Sequence, residues 1–192
     1  AIRAIHARLK GRIEREGQLT AQYLQQPAMA SRTAAEYVTA RKQIVGERPF
    51  GPDPQLQRHQ DGHVFDPNPA RRSDLFVPNF VSATDPATLK AIRESAPLDA
   101  LAPTLLKENP QAVAMYYVSP NDISRYYPMG TLEGNAAPDT KLTDFPWFIS
   151  TSPQANRERR STWSQLYLDA AGNGLIITTC SPLYENNSFK GI

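Results

Sequence analysis

The chain is short of the features that usually announce chemistry. It holds one cysteine, Cys180, and three histidines, His6, His59 and His63, in 192 residues. No intrachain disulfide can form, and a thiol nucleophile would have few candidate bases. A lone cysteine in an apolar stretch reads first as a small packing residue. Charge of one sign is also missing: 21 basic residues face 19 acidic ones, for a net charge of +2. The densest basic cluster, Arg157, Arg159 and Arg160, is interrupted by Glu158 and reads as a solvated loop, so nucleic acid is not an expected partner. No apolar run reaches the length of a bilayer span and no signal peptide opens the chain. Glycine-rich phosphate loops are absent too, because Gly172 and Gly174 sit in a turn with no helix after them.

Proline, by contrast, is plentiful: 17 against 10 glycines, a balance that favours fixed turns and broken segments over a helical bundle. Ile2, Ile5, Leu9, Ile13, Leu19, Tyr23 and Leu24 recur mostly at gaps of three or four and predict a first helix through about Gln25, stopped by Pro27. Thr33 and Glu36 read as a capping box opening a second helix to about Val45. Residues 46–80 carry six prolines and no long apolar period, and predict an irregular surface excursion, with disorder expected around 51–54 and 66–72. Thr84-Asp85-Pro86 starts a short helix over 87–95, and a second follows over 98–107. Strands are predicted at 112–119 and 123–127, joined by Pro120-Asn121-Asp122, and at 164–168 and 175–181, joined by a glycine-containing turn. Helices first and antiparallel hairpins after them make an α+β chain. Its expected division is a helical stalk over 1–48 and a lobe over 49–192. The chain opens inside a helical pattern and stops inside a hairpin at Phe189-Lys190-Gly191-Ile192, which marks it as an expected piece of something longer.

His59-Gln60-Asp61-Gly62-His63 is the one metal-like cluster. Its histidines are four apart, but Gly62 and the surrounding prolines argue against a helix that would align them, so both are expected on a surface loop without a shared metal. Aromatic and polar residues concentrate instead near the hairpins, where packing and half-buried sheet faces already favour them. A ligand pocket uses the same ingredients.

Tyr116-Tyr117-Val118-Ser119, then Arg125-Tyr126-Tyr127-Pro128, then Phe145-Pro146-Trp147-Phe148 follow in the order of the strands and lid of a double-Cache sensor, a PAS-like domain. Trp163, Tyr167 and Asp169 with Thr178, Pro182 and Tyr184 resemble that family's W-x-x-x-Y-x-D … T-x-x-x-P-x-Y pattern, and Phe189-Lys190-Gly191-Ile192 is similar to its next strand. The resemblance covers residues 98–192. It implies the membrane-distal lobe of an extracytoplasmic sensor in a bacterial receptor, at the periplasmic face of the inner membrane. A transmembrane helix would pass ligand occupancy to a cytoplasmic output: a histidine kinase by preference, otherwise a cyclase or chemoreceptor. Where the amino-acid-binding branch has R-x-W-Y in its lid, this chain keeps Trp147 but has Phe145 and Phe148, so an α-amino acid is not implied.

Alternation places Tyr117 with Met115 and Ser119, away from Tyr116. Together with the resemblance, it leads to the expectation that Tyr117, Arg125, Tyr127, Trp147, Trp163, Tyr167 and Asp169 line one cavity beneath a lid over 144–160, which Pro146 and Pro153 keep from being one regular helix. The expected partner is a small organic ligand, with no cofactor, metal or catalytic group in this region, and with membrane contact only through flanking spans. Two other classes compete. One is an extracytoplasmic enzyme using the histidines, Asp61 and Asp66. The other is a ligand-free module that forms a homodimer through the first helix.

Overall fold

The computed structural model of the chain describes residues 2–46, 49–51, 53–68 and 70–192. It is a mixed α+β structure in which a long N-terminal helix lies against small antiparallel sheets and short helices. The helix α1, Ile2–Val45, runs unbroken through Pro27, so the expected pair of helices is a single one. Proline there removes the amide that would bond to the carbonyl four residues earlier. That carbonyl, on Tyr23, instead accepts from the side-chain amide of Gln111 at 3.4 Å. Thr33 and Glu36 consequently lie mid-helix, where no capping box is needed.

The two halves of α1 differ. Ile2, Ile5, Leu9, Ile13, Leu19 and Tyr23 are each more than half exposed, so this stripe marks a helix without burying it. From Leu24 onward the helix docks: Ala30 and Ala34 are buried, and the Ser31 hydroxyl donates to that of Ser181 at 3.0 Å. No helix among the described residues is long and apolar enough to cross a membrane.

The stretch after α1 is more ordered than expected. It holds the hairpin β1 (Gln57–Arg58) and β2 (Val64–Phe65), then β3 (Asp74–Phe76), which joins the central sheet. Residues 47 and 48, beside the expected 48/49 boundary, lie outside the described residues, as do Pro52 and Pro69 in the stretches expected to be disordered. A three-residue strand carries too little alternation to be read, yet Leu75 and Phe76 are completely buried. Asp74 is equally buried and accepts from the amides of Gly130, Thr131, Leu132 and Glu133, at 2.7 to 3.3 Å. A buried carboxylate is tolerable when backbone donors saturate it in this way.

Next come α2 (Pro86–Ser95), capped by the Asp85 side chain on the Ala87 amide, and α3 (Leu98–Lys107), both as anticipated. The strands β4 (Met115–Val118) and β5 (Ser124–Tyr127) are trimmed versions of the first predicted hairpin, and the sheet order is β3-β5-β4. A short α4 (Leu132–Asn135) and the lid helix α5 (Pro146–Thr151) follow. Pro146 sits in the first turn of α5, where its missing amide costs nothing. The second predicted hairpin is interrupted: β6 (Thr162–Trp163) pairs with β9 (Thr179–Cys180), and β7 (Tyr167–Leu168) with β8 (Leu175–Ile176). At the break Ser164 and Thr178 bond to each other, the Ser164 amide donating to the Thr178 carbonyl and the Thr178 amide to the Ser164 hydroxyl.

The last pair is β10 (Leu183–Glu185) with β11 (Ser188–Gly191). Ile192 exchanges two backbone hydrogen bonds with Val118, both 3.0 Å, and so ties this hairpin to β4. Gly191 adopts φ 132°, and a Cβ there would collide with the Val118 carbonyl, so only glycine fits this close approach. The central sheet separates two apolar clusters. One gathers Phe76, Tyr126, Trp147, Phe148 and Tyr167 under α5; the other gathers Leu75, Ile92, Leu98, Ala102 and Tyr117 under α2, α3 and α1.

Candidate functional site

Strand register decides which side chains meet. Tyr116 lies opposite Tyr126, and Tyr117 opposite Arg125, so the two tyrosines of each adjacent pair belong to opposite faces. On the lid face Tyr116 and Tyr126 stack with ring centres 5.2 Å apart and planes 7° apart. Trp147, carried by α5, meets Tyr116 edge-on at 5.3 Å, and Phe145 meets Tyr167 edge-on at 5.8 Å. Above this aromatic wall three hydroxyls form a closed set: Tyr116 to Tyr167 at 3.1 Å, Tyr116 to Thr178 at 3.0 Å and Tyr167 to Thr178 at 2.7 Å. Burial pushes the Tyr167 phenol up to about 12, despite the hydrogen bonds to Thr178 and Tyr116 that favour its anion.

Asp169 reaches the same face from the turn of the interrupted hairpin. Its carboxylate accepts from the Tyr126 hydroxyl at 3.4 Å and from the Asn173 amide at 2.6 Å, while Asn173 also donates to Tyr126 at 3.0 Å. Its backbone closes the turn, with Gly172 at φ 84° and Gly174 at φ 79°. Asp169 thus both closes the turn and bonds to the Tyr126 hydroxyl. Between Tyr126, Phe145, Trp147 and Asp169 lies a cleft of about 10 Å³, the volume of roughly one water molecule. Trp147 is 3% exposed, and its indole N–H has no hydrogen-bond partner among the described residues. Buried donors are seldom left in that state.

The other face is organised around a buried guanidinium. The Arg125 guanidinium donates from Nε to Ser95 Oγ at 3.1 Å, from Nη1 to Asp99 Oδ2 at 2.7 Å and from Nη2 to the Ile92 carbonyl at 3.1 Å. Desolvation lowers its pKa and the Asp99 carboxylate opposes that shift. Each of its three nitrogens thus has a protein acceptor, while Asp99 Oδ1 has no hydrogen-bond partner among the described residues. Tyr117 is buried on this side with its hydroxyl donated to the Lys190 carbonyl at 2.6 Å, and Tyr127 packs against the same cluster.

The seven expected site residues therefore do not share one cavity. Trp147, Tyr167 and Asp169 come together, joined by Tyr116, Tyr126, Phe145, Asn173 and Thr178, which had no place in the expected set. Tyr117, Arg125 and Tyr127 do share a face, as alternation requires, but it is the helix-covered one. Trp163 is 37% exposed and lines a groove of about 470 Å³ between α1 and the interrupted hairpin, which Tyr117 and Tyr116 also border. Nothing in a strand's own sequence says which of its faces the lid will cover. The usable signal was on α3, where Asp99 and the apolar side of an amphipathic helix call for a buried cation opposite.

Cys180 borders that groove too, 5% exposed, and burial pushes its thiol up to about 12. His59 is on the exposed loop as anticipated, whereas His63 is buried at 4% exposure against the Phe76 ring, a correction to the surface position expected for it. Desolvation acts to raise the Asp61 pKa, but hydrogen bonds from His59 and His63 together outweigh it and the pKa is lowered. Comparisons of this chain with protein-family models, with curated proteins and with solved structures find no match.

Proposed function

We propose that this chain is the small-molecule-sensing region of a bacterial transmembrane receptor, a PAS-like lobe of the double-Cache kind, whose ligand enters the lid-face cleft. The observation that carries the reading is the buried, unpartnered indole N–H of Trp147 in a cleft that also holds the Asp169 carboxylate and the Tyr126 hydroxyl. A donor, an acceptor and an amphoteric hydroxyl against an aromatic wall are the ingredients of a site for a small polar organic ligand. The order of the strand, lid and hairpin motifs supports the family, and a long helix leading into an antiparallel sheet agrees with it in kind.

The cleft, at about 10 Å³, is too small for an organic ligand, so binding must be coupled to displacement of α5 or of the turn over residues 169–174. That coupling is what a sensor requires, since a ligand shifts an equilibrium only through unequal affinity for its two states. The proposed receptor sits in the inner membrane with this region in the periplasm, and a histidine kinase is the proposed output. The proposed role here is binding, with no catalysis in this region.

Tryptophan fluorescence tests the reading. Trp147 and Trp163 are the only tryptophans, so Trp163→Phe leaves a single reporter in the cleft. Screening that variant against small polar metabolites should give a saturable change in emission, accompanied by thermal stabilisation of about 2.7 kcal/mol at a hundredfold excess over Kd. A ligand that stabilises the protein without altering Trp147 emission would place the site elsewhere.

A further inference from the structure

We propose that His59, Asp61 and His63 form a binding site for a divalent transition metal of the zinc class, built on the β1–β2 hairpin. The hairpin does what a helix was expected to be needed for. The His59 amide donates to the His63 carbonyl at 2.8 Å, and the Gly62 amide to the His59 carbonyl at 3.0 Å, with Gly62 at φ 100°. That closure brings the imidazoles to one side of the hairpin, stacked with centres 4.9 Å apart. The Asp61 carboxylate oxygen lies 3.1 Å from His59 Nδ1 and 2.7 Å from His63 Nδ1, and one ligand atom from each residue falls within 4.8 Å of the others.

Donors about 2.0–2.1 Å from a tetrahedral ion stand roughly 3.3 Å apart. The cluster is within small side-chain rotations of that spacing, and its mobility is suitably divided. His63 is held by the core, its side chain 5% exposed and its ring 5.4 Å from that of Phe76. His59 and Asp61, at 53% and 41% side-chain exposure, are free to adjust. Two imidazoles and one carboxylate suit zinc, cobalt or nickel, whereas calcium and magnesium prefer oxygen donors alone. Three protein ligands leave a fourth position for water or a partner's side chain. Without an ion, the same carboxylate is within hydrogen-bond reach of both rings, and coordination through either Nδ1 requires the neutral tautomer with its proton on Nε2.

The test is titration of the purified protein with Co2+, followed by its visible d–d absorption, and then displacement by Zn2+. The site predicts one Co2+ per chain, a spectrum of four-coordinate type, and competitive loss of that spectrum on adding Zn2+. His59→Ala and Asp61→Asn should each weaken binding by at least about 10-fold. Both alter exposed side chains, and circular dichroism checks that the fold is retained. His6→Ala, on α1, should change nothing. Absence of saturable Co2+ binding up to millimolar concentration, or binding by His59→Ala equal to the parent's, would overturn the proposal.

Discussion

The two faces of the central sheet are made from the same short strands and solve opposite problems. On the helix side, Arg125 is buried and each of its three nitrogens donates to a protein acceptor, although Asp99 Oδ1 has no partner among the described residues. On the lid side, Tyr116 and Tyr126 stack beneath Trp147 and tie their hydroxyls to Tyr167, Thr178, Asp169 and Asn173, but the Trp147 N–H has no partner among the described residues. A paired charge on a packed face is a structural device, and the unsatisfied donor beside the small aromatic cleft is the local deficit on which the proposed ligand site rests. One residue of sequence separates Tyr116 from Tyr117, and it decides which of these settings each tyrosine enters.

The comparison can be broken most severely on the helix side. Arg125→Met removes the guanidinium paired with Asp99 and leaves that carboxylate partly buried without it. A loss of about 3–5 kcal/mol in urea unfolding is expected, the range for breaking a buried pair from one end. Tyr126→Phe on the lid side should cost only about 1 kcal/mol, because Asp169 and Asn173 still bond to each other when the hydroxyl is gone. If Tyr126→Phe proved as costly as Arg125→Met, the lid face would be as tightly determined as the helix face, and the contrast would fail.

How much of this was legible depends on whether the signal was local. The α2 cap at Asp85 and the span of α3 follow from side chains within a few residues, and both were readable. Continuity of α1 through Pro27 was not, because it depends on Gln111, 84 positions beyond that proline, which supplies a donor to the freed Tyr23 carbonyl. The strand β3 was hidden for a similar reason: its Asp74 is polar in sequence but buried as the acceptor for four distant amides. Of the site, Trp147, Tyr167 and Asp169 were foreseen together, whereas the choice between the Tyr116 and Tyr117 faces required knowing where α5 packs. The histidine spacing alone gives neither the scaffold that aligns the two rings nor the third ligand a metal centre needs, and both come from the β1–β2 hairpin and Asp61.

A smaller effect sharpens the helix side at its edge. Lys42 near the end of α1 bonds to Glu185 at 2.6 Å, and that hydrogen bond is the main cause holding the Glu185 carboxyl below its ordinary value of 4.5. A carboxylate whose pKa is lowered on folding stabilises the protein above its unfolded value and loses that contribution as pH falls through the folded one. Glu185→Gln should therefore be less stable than the parent at pH 7, by no more than about 1 kcal/mol. The difference should shrink as pH drops below 4.5. Denaturant melts at several pH values would read it, and a difference that grew toward acid would contradict the sign.

The measurement that bears most directly on the central claim is the paired behaviour of Trp147→Phe, which keeps an aromatic ring in the cleft and removes only the N–H half of the indole. Relief of an unsatisfied buried donor, worth about 1–3 kcal/mol, offsets the cavity left by the smaller ring. Ligand-free stability is therefore predicted to stay within about 1 kcal/mol of the parent, while the thermal shift from whichever ligand stabilises the parent is lost. A variant that loses more than about 2 kcal/mol without ligand and still shows the full ligand shift would contradict the account, because Trp147 would then be a core residue like its neighbours.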